Sequence, residues 1–144
     1  MASPPLTDRE YAYLRISNED GSHSEITEIL KLEPTNCWNK GDINRANNRP
    51  RNQVSWQLES GLDDTHPIEE HLDKIFSILT PLKSELVKLS DKYNICIQCV
   101  GYYHPSQHGI HLDHSTLEKA YSIGASFDFD CYFVDDYGHD LDYV

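Results

Sequence analysis

The chain has 144 residues, of which 38% are hydrophobic, 10% aromatic and 25% charged. That is enough apolar material for one well-buried core, and it excludes a disordered, fibrous or many-repeat protein. Twenty-four acidic side chains against twelve basic ones leave a formal charge of −12. Nucleic acid and anionic membranes therefore start from repulsion, and a basic or neutral partner is expected.

The opening residues MASPPLTDRE lack the basic and apolar regions of a secretory signal. No stretch approaches the roughly 20 consecutive apolar residues of a membrane span. The expectation is a cytoplasmic, single-domain protein over residues 1–144, with an ordered core over about 11–134 and an acidic tail over 135–144.

Period-two alternation begins in YAYLRIS, where Ala12, Leu14 and Ile16 share one face and Tyr11, Tyr13 and Arg15 the other. A half-buried strand is predicted. The next segment, SHSEITEILKL, spaces Ile26, Ile29 and Leu30 as a helix does, with Ser22 and Glu25 as a capping box and Pro34 as a stop. Residues 35–53 are polar and read as a loop, ordered or flexible, that holds Trp38 and the chain's one basic patch, Lys40, Arg45, Arg49 and Arg51.

QVSWQLES restores alternation, with Val54, Trp56 and Leu58 facing inward. Pro67 fits a first helical position, and an apolar stripe from Ile68 to Leu89 predicts the dominant helix. Pro81 should kink or restart that helix with Thr80 as the cap. NICIQCVGYYH is apolar on both faces, as a central strand would be, and GIHLD reads as a short returning strand. Ser115 and Glu118 form a second capping box for a short helix that Gly124 ends, before a last strand, SFDFDCYFV. The expected architecture is α+β: a sandwich of a mostly antiparallel sheet of about 4–5 strands with one long kinked helix and two short helices.

Cys96 and Cys99 form a CxxC, but an offset of three along a strand points them to opposite faces, so reduced thiols are expected rather than a metal site or a redox pair. HPSQHGIHLDH gathers His104, His108, His111, Asp113 and His114, donors suited to a transition metal, although their spacing matches no structural-zinc pattern. A solvated, histidine-rich turn is the competing reading. Asp128 and Asp130 share a face of the last strand, and Asp135, Asp136, Asp140 and Asp142 follow without the ligand series of a calcium loop. No glycine-rich phosphate loop, GxSxG or HExxH is present, so no catalytic set and no cofactor is assigned.

The segments SEITEILKLEPTNCWNKGD, VSWQLES, IEEHLDKIFSILTPLKSELVKLS, ICIQCV and GIHLDHSTLEKAYSIGASFDFDCY follow one another in that order. In combination they resemble the bacterial family called domain of unknown function 4279, from about Tyr11 to Phe133. The resemblance implies a small α+β bacterial domain with no established activity and supplies no catalytic residues.

Charge is also uneven along the chain: residues 93–144 hold eight acids and one base, Lys119. The function expected is a non-enzymatic binding protein, an immunity protein that neutralises a toxin with a basic surface. Asp128, Asp130, Asp135, Asp136 and Asp140 would supply the charge, and Tyr132, Tyr137 and Tyr143 the contact aromatics. The alternatives are a metal-dependent enzyme or small-molecule-binding domain built on the histidine-rich turn, and a housekeeping interaction module.

Overall fold

A computed structural model describes residues 8–104 and 109–134. Its centre is a five-stranded sheet of order β2-β5-β1-β6-β7. The strands are β1 (Arg9–Asn18), β2 (Asn36–Trp38), β5 (Val54–Glu59), β6 (Asn94–Tyr103) and β7 (Ser126–Phe133), while β3 (Ile43–Asn44) and β4 (Arg49–Pro50) form a separate two-stranded ribbon. The helices are α1 (His23–Leu30), α2 (Ile68–Leu79), α3 (Lys83–Leu89) and α4 (His114–Ser122). This is a single α+β unit with a mostly antiparallel sheet. Among the described residues, no helix is long and apolar enough to cross a membrane.

The alternation read from the sequence decides which face is covered. Ala12, Leu14 and Ile16 of β1, Val54, Trp56 and Leu58 of β5, and Ile95, Ile97 and Cys99 of β6 join one buried cluster with the apolar stripes of all four helices. The helices therefore lie against one face of the sheet, and the other face carries none among the described residues. Trp56 is fully buried, and its indole N–H is satisfied by Thr27 Oγ1 of α1 at 3.0 Å.

Helix boundaries follow local chemistry, with corrections. Ser22 Oγ accepts from Glu25 N as a cap should, but the reciprocal half of the box is absent: Tyr93 Oη accepts from Ser22 N, and Glu25 pairs with Lys92 instead. Pro67 precedes α2 rather than starting it. The α2 N-terminus is met by Glu10 of β1, whose carboxylate accepts from Ile68 N at 3.0 Å and from Tyr103 Oη at 2.8 Å. At Pro81 the long helix passes through a 3-10 turn, Thr80–Leu82. Thr80 closes α2, donating its hydroxyl to Phe76 O, and does not cap α3.

Three expectations change. The segment 35–53 is not a structureless loop: it supplies edge strand β2 and the β3–β4 ribbon. Of its basic residues, Arg51 stacks its guanidinium over Trp38, 3.7 Å from the ring centroid. GIHLD is not a strand; Ile110 and Leu112 pack against the core from an irregular segment. The cap of α4 is Asp113, accepting from Thr116 N at 2.8 Å, rather than Ser115. Gly124, at φ +72°, then turns the chain so that Ala125 N bonds back to Ala120 O, and β7 enters the sheet parallel to β6. With α4 as the crossover, β6-α4-β7 is the one parallel unit of the sheet, as parallel neighbours require a crossover rather than a hairpin.

Candidate functional site

The uncovered face is built from the second half of each alternation. Tyr11, Tyr13, Arg15 and Ser17 come from β1, Ser55 and Gln57 from β5, Cys96, Gln98, Val100 and Tyr102 from β6, and Ser126, Asp128, Asp130 and Tyr132 from β7. Register sets these in rows: Gln57, Arg15, Cys96 and Ser126 in one, Tyr13, Gln98 and Asp128 in the next, then Tyr11, Val100 and Asp130, and finally Tyr102 beside Tyr132.

A polar chain runs across the middle rows. Arg15 donates to Gln98 Oε1 at 2.9 Å and to Asp128 Oδ2 at 3.0 Å, and Gln98 Nε2 donates to Asp130 Oδ2 at 3.0 Å. Gln98 is buried, so its amide and Arg15 fix each other and hold the two carboxylates at set positions. At the next rows the aromatics stack: Tyr102 on Tyr132 with centroids 5.1 Å apart, and Tyr11 on Tyr13 at 6.4 Å, with the Arg9 guanidinium 4.7 Å from the Tyr102 ring. Burial, then the neighbouring phenols Tyr102, Tyr13 and Tyr132 and the Asp130 carboxylate, push the Tyr11 hydroxyl above its ordinary pKa. It stays a neutral donor.

Three of the sequence-predicted contact residues, Asp128, Asp130 and Tyr132, thus lie together on this face. Asp135, Asp136, Tyr137, Asp140 and Tyr143 lie outside the described residues, as does His108. Of the remaining metal candidates, Asp113 is occupied as the α4 cap and His104 bonds Asp8 through Nδ1 at 3.2 Å, while His111 is exposed. Backbone and hydroxyl donors of Thr116 hold the Asp113 carboxyl below its ordinary pKa. Among the described residues, no group of three or more His, Cys, Asp or Glu side chains is arranged to hold a metal ion. Cys96 and Cys99 do face opposite sides of β6, and burial pushes their thiols up, to about 11 and about 12.

Sequence reading missed the partners that β1 and β6 contribute: Tyr11, Tyr13, Arg15, Gln98 and Tyr102. The available signal was the polar half of the YAYLRIS alternation, which marks a face without identifying its neighbours. Also missed was a buried pair, Ser60 Oγ and His71 Nδ1, 2.6 Å apart beneath the β5–α2 connection. Ser60 Oγ also accepts from Leu62 N, and His71 Nε2 has no hydrogen-bond partner among the described residues. Nucleophilic sites orient the base through its second nitrogen. Here that nitrogen has no partner among the described residues, and the Ser60–His71 contact ties the connection to α2.

Residues 8–134 match the family model described as domain of unknown function DUF4279. The chain belongs to that family. A search of the curated proteins and a search of the solved structures each found no match.

Proposed function

We propose that this DUF4279 domain is a non-enzymatic binding protein that presents its uncovered sheet face to a basic protein, and that the partner is a bacterial toxin which it neutralises. The observation that carries the reading is the grouping of Tyr11, Tyr13, Tyr102 and Tyr132 with Asp128 and Asp130 on a face that no helix covers among the described residues. Tyrosines provide wide contact area at low conformational cost, and prepositioned carboxylates complement lysine or arginine. A chain of net charge −12 also speeds its encounter with a basic surface.

The test pairs the protein with the product of a neighbouring toxin gene in a growth-rescue assay and in calorimetry at low and high salt. Rescue should depend on Tyr132 and Asp130: the Y132A and D130K variants, checked for an unchanged melting curve, should each weaken binding by at least about 2 kcal/mol, as central contact residues do. Full rescue and unchanged affinity in both variants would remove this face from the interface.

A further inference from the structure

The uncovered face is not uniform. Its tyrosines occupy the end where β1 begins and β6 finishes. Past Arg15 the side chains become short and polar, and the surface falls into a cleft of about 710 Å³. The cleft spans the sheet from Trp38 on edge strand β2 to Ser126 and Asp128 on β7, with Ser17, Ser55 and Gln57 between them.

Among the described residues, Arg15 is the one basic residue that lines it. The side chain rises from the central strand and is only 26% exposed, so its guanidinium is partly removed from water. A guanidinium has five N–H donors in a fixed planar fork. Two of these are spent, one on Gln98 and one on Asp128, and no protein acceptor takes the others among the described residues. A partly buried guanidinium with unspent donors at the edge of a hydroxyl- and amide-lined hollow suits a planar oxyanion.

Charge narrows the class. Asp128 sits against the same guanidinium at 3.0 Å, and no second cation lines the cleft among the described residues. A phosphate dianion would meet one positive and one negative group and gain little from the pair. A single carboxylate asks for one fork of donors, and the uncharged remainder of its molecule suits the serine and glutamine lining. Trp38, one face of which the Arg51 guanidinium covers, bounds the far side.

We propose that this cleft is a binding site for a small molecule bearing one carboxylate, with the carboxylate on the unspent N–H groups of Arg15 and the remainder directed along Ser17, Ser55 and Gln57 toward Trp38. The site shares Asp128 with the partner face but lies beyond the tyrosines, and it does not depend on the protein-partner reading. Glycine and acetate present the same carboxylate, glycine adding an ammonium that Asp128 is placed to accept.

The test titrates the ¹⁵N-labelled protein with sodium acetate, glycine and sodium phosphate in turn, at constant ionic strength with chloride as the balancing ion. Saturable shifts are expected at the Arg15 Nε–H, the Trp38 indole N–H and the Ser55 amide with acetate and with glycine, and not with phosphate. Two variants locate the site. R15Q removes the fork. Q57E keeps the side-chain shape but places a carboxylate in the cleft, one strand from Arg15 in register, to occupy the same donors. Each should weaken acetate binding about tenfold or more, the loss expected for charge-assisted hydrogen bonds, whereas Y132A should leave it unchanged. Non-saturable shifts, phosphate binding as strongly as acetate, or binding retained in a folded Q57E protein would overturn the proposal. Loss of acetate binding in Y132A would do the same, by moving the site to the tyrosine end.

Discussion

Replacing Ser60 by alanine removes the one hydrogen-bond partner that a fully buried imidazole has among the described residues. His71 would keep two ring nitrogens away from water with no acceptor or donor. Such an orphaned group costs about 1–3 kcal/mol. Leu62 N–H loses its 3.1 Å acceptor in the same substitution, which adds about 1 kcal/mol. S60A should therefore destabilise the domain by about 2–4 kcal/mol, lowering the melting temperature by roughly 4–15 °C for a chain of this size.

The informative variant is the double one. S60A/H71L replaces the imidazole with an apolar side chain, so no buried ring nitrogen remains to be satisfied. Only the Leu62 N–H loss and a small packing term survive, and the double variant should cost about 1–2 kcal/mol, less than S60A alone. Urea unfolding at pH 8, above the ordinary histidine pKa of about 6.5, gives the four corners of the cycle. The coupling should be about 1–3 kcal/mol in favour of the pair. Additive losses, or an S60A protein within about 0.5 kcal/mol of the parent, would show that Ser60 and His71 do not satisfy one another and that the pin on the β5–α2 connection is misassigned.

Three further outcomes are expected. Gly101→Ala places a methyl group against the Tyr103 ring, whose hydroxyl is tied to Glu10; overpacking at this buried position should cost about 1–3 kcal/mol by urea unfolding, and a neutral variant would mean that Tyr103 is free to move. Cys96 and Cys99 should resist a disulfide-exchange reagent at pH 8 in the folded protein and react only on unfolding, because their thiols are raised to about 11 and about 12. The sign follows: the unfolded chain releases these protons near the ordinary thiol value of 9.0 while the fold retains them, so stability falls as pH rises from about 9 toward 11–12. An alkaline limb unchanged in a C96S/C99S variant would contradict it. Asp113 has the opposite sign: its carboxyl is held low by Thr116, so the cap is present above the ordinary 3.8 and is lost as pH falls through the depressed value. Hydrogen exchange at the Thr116 amide should accelerate on that descent and in Asp113→Ala, but not in Asp113→Asn, which still caps.

Alternation and helical spacing are short-range properties, and where they carried the argument the structure agrees. Ala12, Leu14 and Ile16, Val54, Trp56 and Leu58, and the stripe from Ile68 to Leu89 apart from the half-buried Leu82 are buried as their periods require. Capping was legible where a residue beside the helix does the work, as with Ser22. It was misread where the first candidate in the segment lost to a neighbour, as with Asp113 over Ser115. It was invisible where the cap comes from afar, as with Glu10, 58 residues before the Ile68 N–H that it accepts.

The uncovered face shows the same limit. Composition and periodicity by themselves determined that this is one acidic α+β domain, which side of each strand is apolar, and that Asp128, Asp130 and Tyr132 share a strand face. They did not determine which strands are neighbours. A strand's side-chain pattern reports burial and carries no label for its partner, and β7 entering parallel beside β6 depends on the α4 crossover. Only the tertiary structure brings Arg15 to Asp128, 113 residues away, and sets the tyrosines at one end of the sheet and a polar cleft at the other. Such pairings are specified by the packing of the whole sheet on its helices, where a one-residue slip would turn every buried side chain outward.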